Sequence, residues 1–334
     1  MRPVASLDTT AAGPMCYGRG HMSTRHEKYR RLIETAKALP PVTAAVVHPC
    51  DESSLSGAVD AAKMSPFIPI LVGPKAKIAA VASQLKLDIS PYELVDAPHS
   101  HAAAAKAVEV VRAGKAEALM KGSLHTDELM AEVVKKDTGL RTARRISHCF
   151  VLDVPTYADA LIISDAAVNI APTLEDKVDI VQNAIDLAHA LRFKEVRVAI
   201  LSAMETVNPK VPSTIEAAAL CKMADRGQIW GGILDGPLAL DNAISMEAAE
   251  IKKIASPVAG RANVLIVPDL EAGNMLVKSL TFLANADVAG IVVGAKVPII
   301  LTSRADSVEA RLASCAVAAL VAQARRERAA KTIT

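Results

Sequence analysis

The most constraining feature of this 334-residue sequence is a regular alternation between short apolar runs and longer stretches with helical spacing. Between residues 23 and 134, β-branched runs alternate with segments whose apolar side chains recur every three or four positions. This pattern predicts parallel strands joined by helical crossovers in an open α/β sheet, whose ligands bind beyond the carboxyl ends of the strands. Aromatic residues make up only 3% of the chain, so we expect a core of Ala, Val, Ile and Leu.

The charge and cysteine content argue against several classes of protein. The 38 basic and 36 acidic residues nearly balance, so the concentrated basic face typical of nucleic-acid binding is missing. The five cysteines are dispersed without a C-x-x-C pair, which argues against a disulfide framework and against a zinc site. No apolar run approaches the ~18 residues of a membrane span, and the N-terminus does not resemble a secretory signal. We therefore expect a cytoplasmic enzyme that binds neither nucleic acid nor membrane.

The pattern changes at two places along the chain. Residues 1–22 contain scattered glycines without periodicity, which predicts a disordered or linker-like extension. A cluster of arginines before residue 146 is either a solvated charge group or part of a cleft between two domains. These arginines are Arg141, Arg144 and Arg145. The apolar segments 149–154 and 161–164 are close enough to form an antiparallel hairpin.

The segment 289–311, with the sequence AGIVVGAKVPIILTSRADSVEAR, predicts a strand that stops at Thr302 and a helix that follows it. The first N–H groups of such a helix lack intrahelical partners and favour an anion, and Arg304 adds a planar cation suited to phosphate or carboxylate. An ordinary alternative is a capping box formed by Ser303 and Asp306. The two interpretations are compatible, because a capped helix can still bind an anion.

A second turn, Lys121-Gly122-Ser123, follows the predicted strand 116–120. Glycine allows close approach of the backbone to a ligand, and Lys121 could contact a phosphate. The turn lacks the order of a Walker loop, so a plain connection between strand and helix is the alternative. Three later strands, 196–201, 231–234 and 264–267, end in polar turns that we expect to form a common rim.

Four motifs resemble the phosphate acetyl/butyryltransferase family from about residue 24 onward. They are ILSAMETVNPKVPST (200–214), GGILDGPLALDNAIS (231–245), SPVAGRANVLIVPDLEAGNMLVKSL (256–280) and VPIILTSRADS (297–307). The resemblance implies two α/β domains with a cleft between them, similar to the isocitrate/isopropylmalate dehydrogenase fold, and a homodimer. It implies the reaction acyl-CoA plus phosphate to acyl phosphate plus CoA. Coenzyme A would be a substrate, with no permanently bound cofactor.

On this basis the first domain would comprise residues 23–145 and 298–334, and the second residues 146–297. The family's catalytic pair falls on Ser303 and Arg304, next to Thr302 as a substrate-binding residue. Arg304 would neutralise phosphate, and Ser303 with adjacent N–H groups would hold the oxyanion, each supplying about 3 kcal/mol. Both substrates would bind together, without a covalent enzyme intermediate. Arginine and the helix dipole supply the charge stabilisation, so a metal is not implied.

Two departures from acetyl-specific members leave the acyl chain and the general base open. Ala310 stands where those members have an aspartate, and Phe282 stands where they have a phosphate-binding arginine. Both resemble the butyryl branch more closely. Asp306 is the nearest candidate base, although it fits a helix cap equally well.

Asn274 and Lys278 are four positions apart and share one face of a predicted helix. They would contact phosphate or the phosphates of CoA; the alternative is a helix cap and a solvated lysine. A dehydrogenase is disfavoured, because a glycine fingerprint and a metal-binding aspartate cluster are not evident. A catalytically silent acyl-CoA-binding or regulatory module is harder to exclude, because fold resemblance does not establish turnover.

Overall fold

The computed structural model describes residues 27–64, 66–301 and 307–333. The predicted extension, residues 1–22, lies outside them. No helix in these three ranges is long and apolar enough to cross a membrane.

Within the described residues, helices and strands alternate along the first half of the chain as the apolar periodicity predicts. These elements are α1 (Glu27–Lys37), β1 (Val42–Val47), α2 (Glu52–Met64), β2 (Phe67–Gly73), α3 (Lys75–Leu85), β3 (Glu93–Asp96), α4 (Ser100–Arg112), β4 (Ala118–Lys121), α5 (Thr126–Val133), β5 (Ser147–Asp153) and β6 (Leu161–Ser164). The second half contains α6 (Leu174–Ala190), β7 (Arg197–Leu201), α7 (Pro212–Asp225), β8 (Ile233–Leu238), α8 (Leu240–Ile244), α9 (Met246–Ile251), β9 (Val264–Ile266), α10 (Leu270–Leu283), β10 (Asp287–Val293), β11 (Ile299–Ile300) and α11 (Val308–Ile333).

All these strands belong to one sheet, in the order β3-β2-β1-β4-β11-β10-β5-β6-β9-β7-β8. Strands β1 to β4 and β11 are parallel to one another, and so are β6 to β9. Between these two blocks, β10 is antiparallel to both β11 and β5. Strand β5 is in turn antiparallel to β6, which is the predicted hairpin. The blocks therefore point in opposite directions, and the α/β prediction is confirmed.

The structure corrects two predicted strands. The apolar run before Thr302 is not one strand, because it folds back at Gly294 into antiparallel β10 and β11. Gly294 has φ 87°, and a Cβ there would lie 2.3 Å from the carbonyl oxygen of Arg145, so the turn requires glycine. Strand β8 does not end before Asp235 but continues to Leu238 after a register shift against β7. Its proline is tolerated because β8 lies at the sheet edge.

The core differs between the two faces of the sheet. On one face a single apolar cluster extends across both blocks, and the middle of α11 lies in it. The other face carries two separate clusters, one beneath α4 and α5 and one beneath α8 to α10. Gly290 and Phe150, on the central strands, are only half-buried. The apolar core is thus continuous across one face of the sheet and divided into two clusters on the other.

Candidate active site

Five helices begin at the edge of the sheet where the first parallel block ends. Each of α2, α3, α4, α5 and α11 follows the carboxyl end of a strand in that block. Helix N-termini carry unpaired N–H groups and the positive end of the helix dipole. Because all five begin at the same edge, that edge is favourable for an anion.

The predicted catalytic segment connects β11 to α11, and the described ends of both elements lie at this edge. Thr302, Ser303, Arg304 and Asp306 lie outside the described residues, but both flanks are described. The described part of α11 begins at Val308, beyond the predicted capping box. Its cap is Ser307, whose Oγ accepts a hydrogen bond of 3.1 Å from the N–H of Ala310.

The turn after β4 lies directly against the end of β1, its neighbour in the sheet. The N–H of Gly122 donates to the carbonyl of Val47 at 2.9 Å, and a Cβ at Gly122 would lie 2.3 Å from that oxygen. Glycine is therefore required here by the adjacent strand. The ammonium of Lys121 donates to the carbonyls of Gly122 and Leu124 at 3.2 and 3.1 Å. Both of these carbonyls belong to the same turn as the lysine.

Ser123 joins this turn to His48, which is not among the residues predicted for the site. Its hydroxyl donates to the carbonyl of His48 at 2.7 Å and lies 2.9 Å from the Nδ1 of the same residue. The neutral tautomer that carries its proton on Nδ1 can donate to Oγ while the hydroxyl donates to the carbonyl. Burial, followed by the nearby charge of Lys77, lowers the pKa of His48, which favours this neutral ring. The pairing of β1 with β4 brings together residues that are 75 positions apart.

The LEAGN motif forms the first turns of α10. Asp269 caps this helix by accepting a hydrogen bond of 2.8 Å from the N–H of Ala272. A Cβ at Gly273 would lie 2.8 Å from the Cβ of Ala166, so the glycine lets α10 approach the loop after β6. The half-buried Asn274 donates to the carbonyl of Ala166 at 3.4 Å, whereas Lys278 is exposed. Asn274 thus has a structural partner, and Lys278 faces solvent.

The strand register relates the two blocks. Met120 pairs with Ile300, and on the far side of β10, Ile291 pairs with Cys149 and Cys149 with Ser164. Strands β10 and β11 are antiparallel with Val292 opposite Ile299, so Ile291 lies beside Ile300. The paired residues therefore form nearly one row across the sheet. The carboxyl ends of β4 and β11 lie within one residue of this row. The carboxyl end of β6 also lies at the row, but β6 runs in the opposite direction. Three strand spacings separate β11 from β6, or about 14 Å.

The described residues provide neither an activated thiol nor a metal-binding cluster. Burial raises the pKa of the thiol of Cys50 to about 11, and raises those of Cys149, Cys221 and Cys315 to about 12. Thiols with such pKa values are protonated at neutral pH and are poor nucleophiles. Nowhere in the described part of the chain do three or more His, Cys, Asp or Glu side chains come together as they would around a metal ion.

Comparison with known proteins agrees with this architecture. Residues 99–319 match the family described as phosphate acetyl/butaryl transferase. A phosphate acetyltransferase from Rhizobium meliloti is 67% identical over 90% of this chain and 95% of its own length. A phosphate butyryltransferase from Clostridium acetobutylicum is 41% identical over 89% of this chain and 98% of its own.

A solved structure extends the similarity to three dimensions. The branched-chain phosphotransacylase from Enterococcus faecalis superposes with a TM-score of 0.74 and is 32% identical. The match covers 84% of this chain and 99% of that one. By its sequence motifs, its sheet topology and these matches, the chain belongs to the phosphate acetyl/butaryl transferase family.

Proposed function

We propose that this chain transfers a short acyl group between CoA and inorganic phosphate. A phosphate oxygen attacks the thioester carbonyl, a tetrahedral oxyanion forms, and the CoA thiolate leaves as the acyl phosphate is released. The reverse reaction uses the same groups. Family membership supports this reaction, and one observation supports its placement: β11 ends at Ile300 and α11 begins at Val308, at the sheet edge where α2, α3, α4 and α5 also begin.

In this proposal Arg304 neutralises the phosphate, and Ser303 and Thr302 hold the oxyanion and phosphate with adjacent N–H groups. Asp306 takes the thiol proton when CoA is the nucleophile. Ala310, at the position of the aspartate in acetyl-specific members, has no group that could accept this proton. The buried, protonated cysteines support direct transfer between bound substrates, because the described residues offer no thiolate to form an acyl-enzyme.

The remaining predicted residues contact substrate on the two sides of the junction. Lys121, Gly122 and Ser123 follow β4, the strand adjacent to β11, and would bind phosphate or the CoA phosphates. Asn274 and Lys278 would contact the substrates from α10. The divided face of the sheet supports a cleft between these two groups, because the α4–α5 cluster and the α8–α10 cluster are separate there.

We also propose the domain division that this cleft implies, with residues 23–145 and 298–334 in one domain and 146–297 in the other. The partners would be acyl-CoA or CoA, phosphate or acyl phosphate, and a second copy of the chain in a homodimer. We propose that the enzyme acts in the cytoplasm, where these metabolites are found, and that it retains no cofactor between turnovers.

The direct test measures free thiol released from acetyl-, propionyl- and butyryl-CoA, with and without phosphate. Phosphate-dependent release supports acyl transfer, and the ranking of the three thioesters gives the preferred acyl chain. Arg304→Ala should remove most of this activity. The matched control is Arg192→Ala, which removes an exposed arginine paired with Glu327. Folded protein that releases no CoA from any thioester would favour the silent acyl-CoA-binding module instead.

A further inference from the structure

A second charged site lies far from the proposed active site, in a cavity of about 320 Å³ between α6 and α11 beside the turn after β10. One of its lining residues, Arg325, is 17 positions after Val308 on α11. At 1.5 Å per residue, this places Arg325 about 26 Å from the start of the helix. We call this space the arginine cavity, because Arg144, Arg325 and Arg328 line it.

Among the described residues that line it, the arginine cavity has three guanidinium groups and fewer carboxylates. Asp186 is the sole carboxylate among the described residues that line it. Arg144 and Arg328 both donate to the same oxygen of Asp186, at 2.6 and 3.1 Å. Arg325 donates instead to the carbonyls of Ala295 and Lys296. Within the described lining, two guanidinium groups therefore share the one carboxylate, and the third bonds only to backbone carbonyls.

The position of Arg325 makes this imbalance costly. Burial, together with repulsion by Arg328 and Arg144, lowers the pKa of Arg325 to about 10. Arg325 is half-buried, and a partly desolvated charge beside two like charges is destabilised relative to the same charge in water. An anion in the cavity would offset this cost and would meet planar donors suited to carboxylate or phosphate.

We infer that the arginine cavity binds a small metabolite with at least two negative charges, carried by carboxylate or phosphate groups. Its size is near the lower end for small-molecule sites, which begin at about 300 Å³. The apolar side chains of Leu187, Val293 and Val321 form other parts of the wall and would contact a short carbon skeleton.

The chain contains a built-in reporter for this site. Trp230 is its single tryptophan, and the guanidinium carbon of Arg144 lies 5.7 Å from the centre of the indole ring. The backbone N–H and carbonyl of Trp230 bond to the side chain of Gln182, at 3.0 Å each. An anion that draws Arg144 toward itself changes the contact with the ring and therefore the tryptophan emission.

The test titrates the whole chain with pyrophosphate and, separately, with citrate at constant ionic strength. Trp230 emission and isothermal calorimetry are followed together, so that a spectroscopically silent binding event is still detected. We expect saturable binding of at least one anion, and the stronger one identifies phosphate or carboxylate as the preferred chemistry. Arg328→Gln should weaken it at least tenfold. Arg192→Gln, which removes the same charge outside the cavity, should leave it unchanged.

Arg304→Ala separates this site from the proposed active site, because it removes the group proposed to bind phosphate there. Anion binding that persists in Arg304→Ala and is lost in Arg328→Gln supports the arginine cavity. The inference is overturned if neither anion binds by either method. It is also overturned if binding is lost in Arg304→Ala and kept in Arg328→Gln. Neither readout depends on turnover, so the result is independent of whether the proposed acyl transfer is correct.

Discussion

Replacing Gly122 by alanine tests how closely the turn after β4 lies against β1. A Cβ at this position would lie 2.3 Å from the carbonyl oxygen of Val47 and 2.7 Å from that of His48. Contacts between carbon and a carbonyl oxygen are normally about 3.3 Å or longer. Strand β1 is held between β2 and β4 and cannot move away, so the turn must shift by roughly 1 Å.

The expected loss of stability follows from the contacts that this shift breaks. The backbone N–H groups of Gly122 and Ser123 donate to the carbonyls of Val47 and His48, at 2.9 and 3.0 Å. Each bond contributes about 1 kcal/mol net. Residual overpacking costs about 1–3 kcal/mol more. The free energy of unfolding should therefore fall by about 4 kcal/mol, a large part of the 5–15 kcal/mol of a typical domain.

Urea denaturation followed by circular dichroism measures this loss. The matched control is Gly114→Ala, because a Cβ there meets no atom within 4 Å and only the positive φ of 73° opposes it. That strain costs about 1–2 kcal/mol. If Gly122→Ala loses no more stability than Gly114→Ala, the close approach of the turn to β1 is refuted.

Four further predictions concern other parts of the chain. Gly273→Ala should lower the free energy of unfolding by about 1 kcal/mol in urea titrations. Overpacking costs about 1–3 kcal/mol, and the higher helix propensity of alanine returns about 1 kcal/mol. A stabilised variant would contradict this. Ser123→Ala should cost about 1–2 kcal/mol by thermal denaturation, since it removes one hydrogen bond to the carbonyl of His48 and the partner of its Nδ1; an unchanged melting temperature would argue against that contact. Burial lowers the pKa of His148 below its ordinary 6.5, so as pH falls below 6.5 the unfolded chain binds the extra proton and stability falls by up to about 1.4 kcal/mol per pH unit. His148→Gln should remove this slope from urea titrations between pH 6.5 and 5, and an unaltered slope would assign it to other groups. Asp306→Asn should reduce kcat for CoA as nucleophile about 10²-fold or more and remove the acidic limb of the pH profile; normal kcat would reject Asp306 as the base.

The local elements could be predicted from the sequence because they depend on neighbouring residues. Strand β6 has the predicted bounds, Leu161–Ser164. Apolar spacing of 3.6 or 2 residues identifies such elements without knowledge of their partners. The segment that contains Ser303 and Arg304 was found in the same way, from a strand pattern, a polar break and a helix pattern; those two residues lie outside the described part of the chain and their roles remain proposals.

The strand directions and the contacts between distant residues were decided only by the tertiary structure. The apolar run before Thr302 is compatible with one strand or two, and packing of β10 between β11 and β5 selects two. No local pattern relates His48 to Ser123, which meet because their strands are neighbours. Arg144 and Arg328 are even further apart in the sequence. Both bind Asp186, because α11 crosses the sheet to reach α6. The sequence by itself determined which segments become helices and strands, since that choice depends on neighbouring residues. The long-range packing of the sheet and α11 decided which charges share a cavity, because local periodicity carries no information about distant contacts.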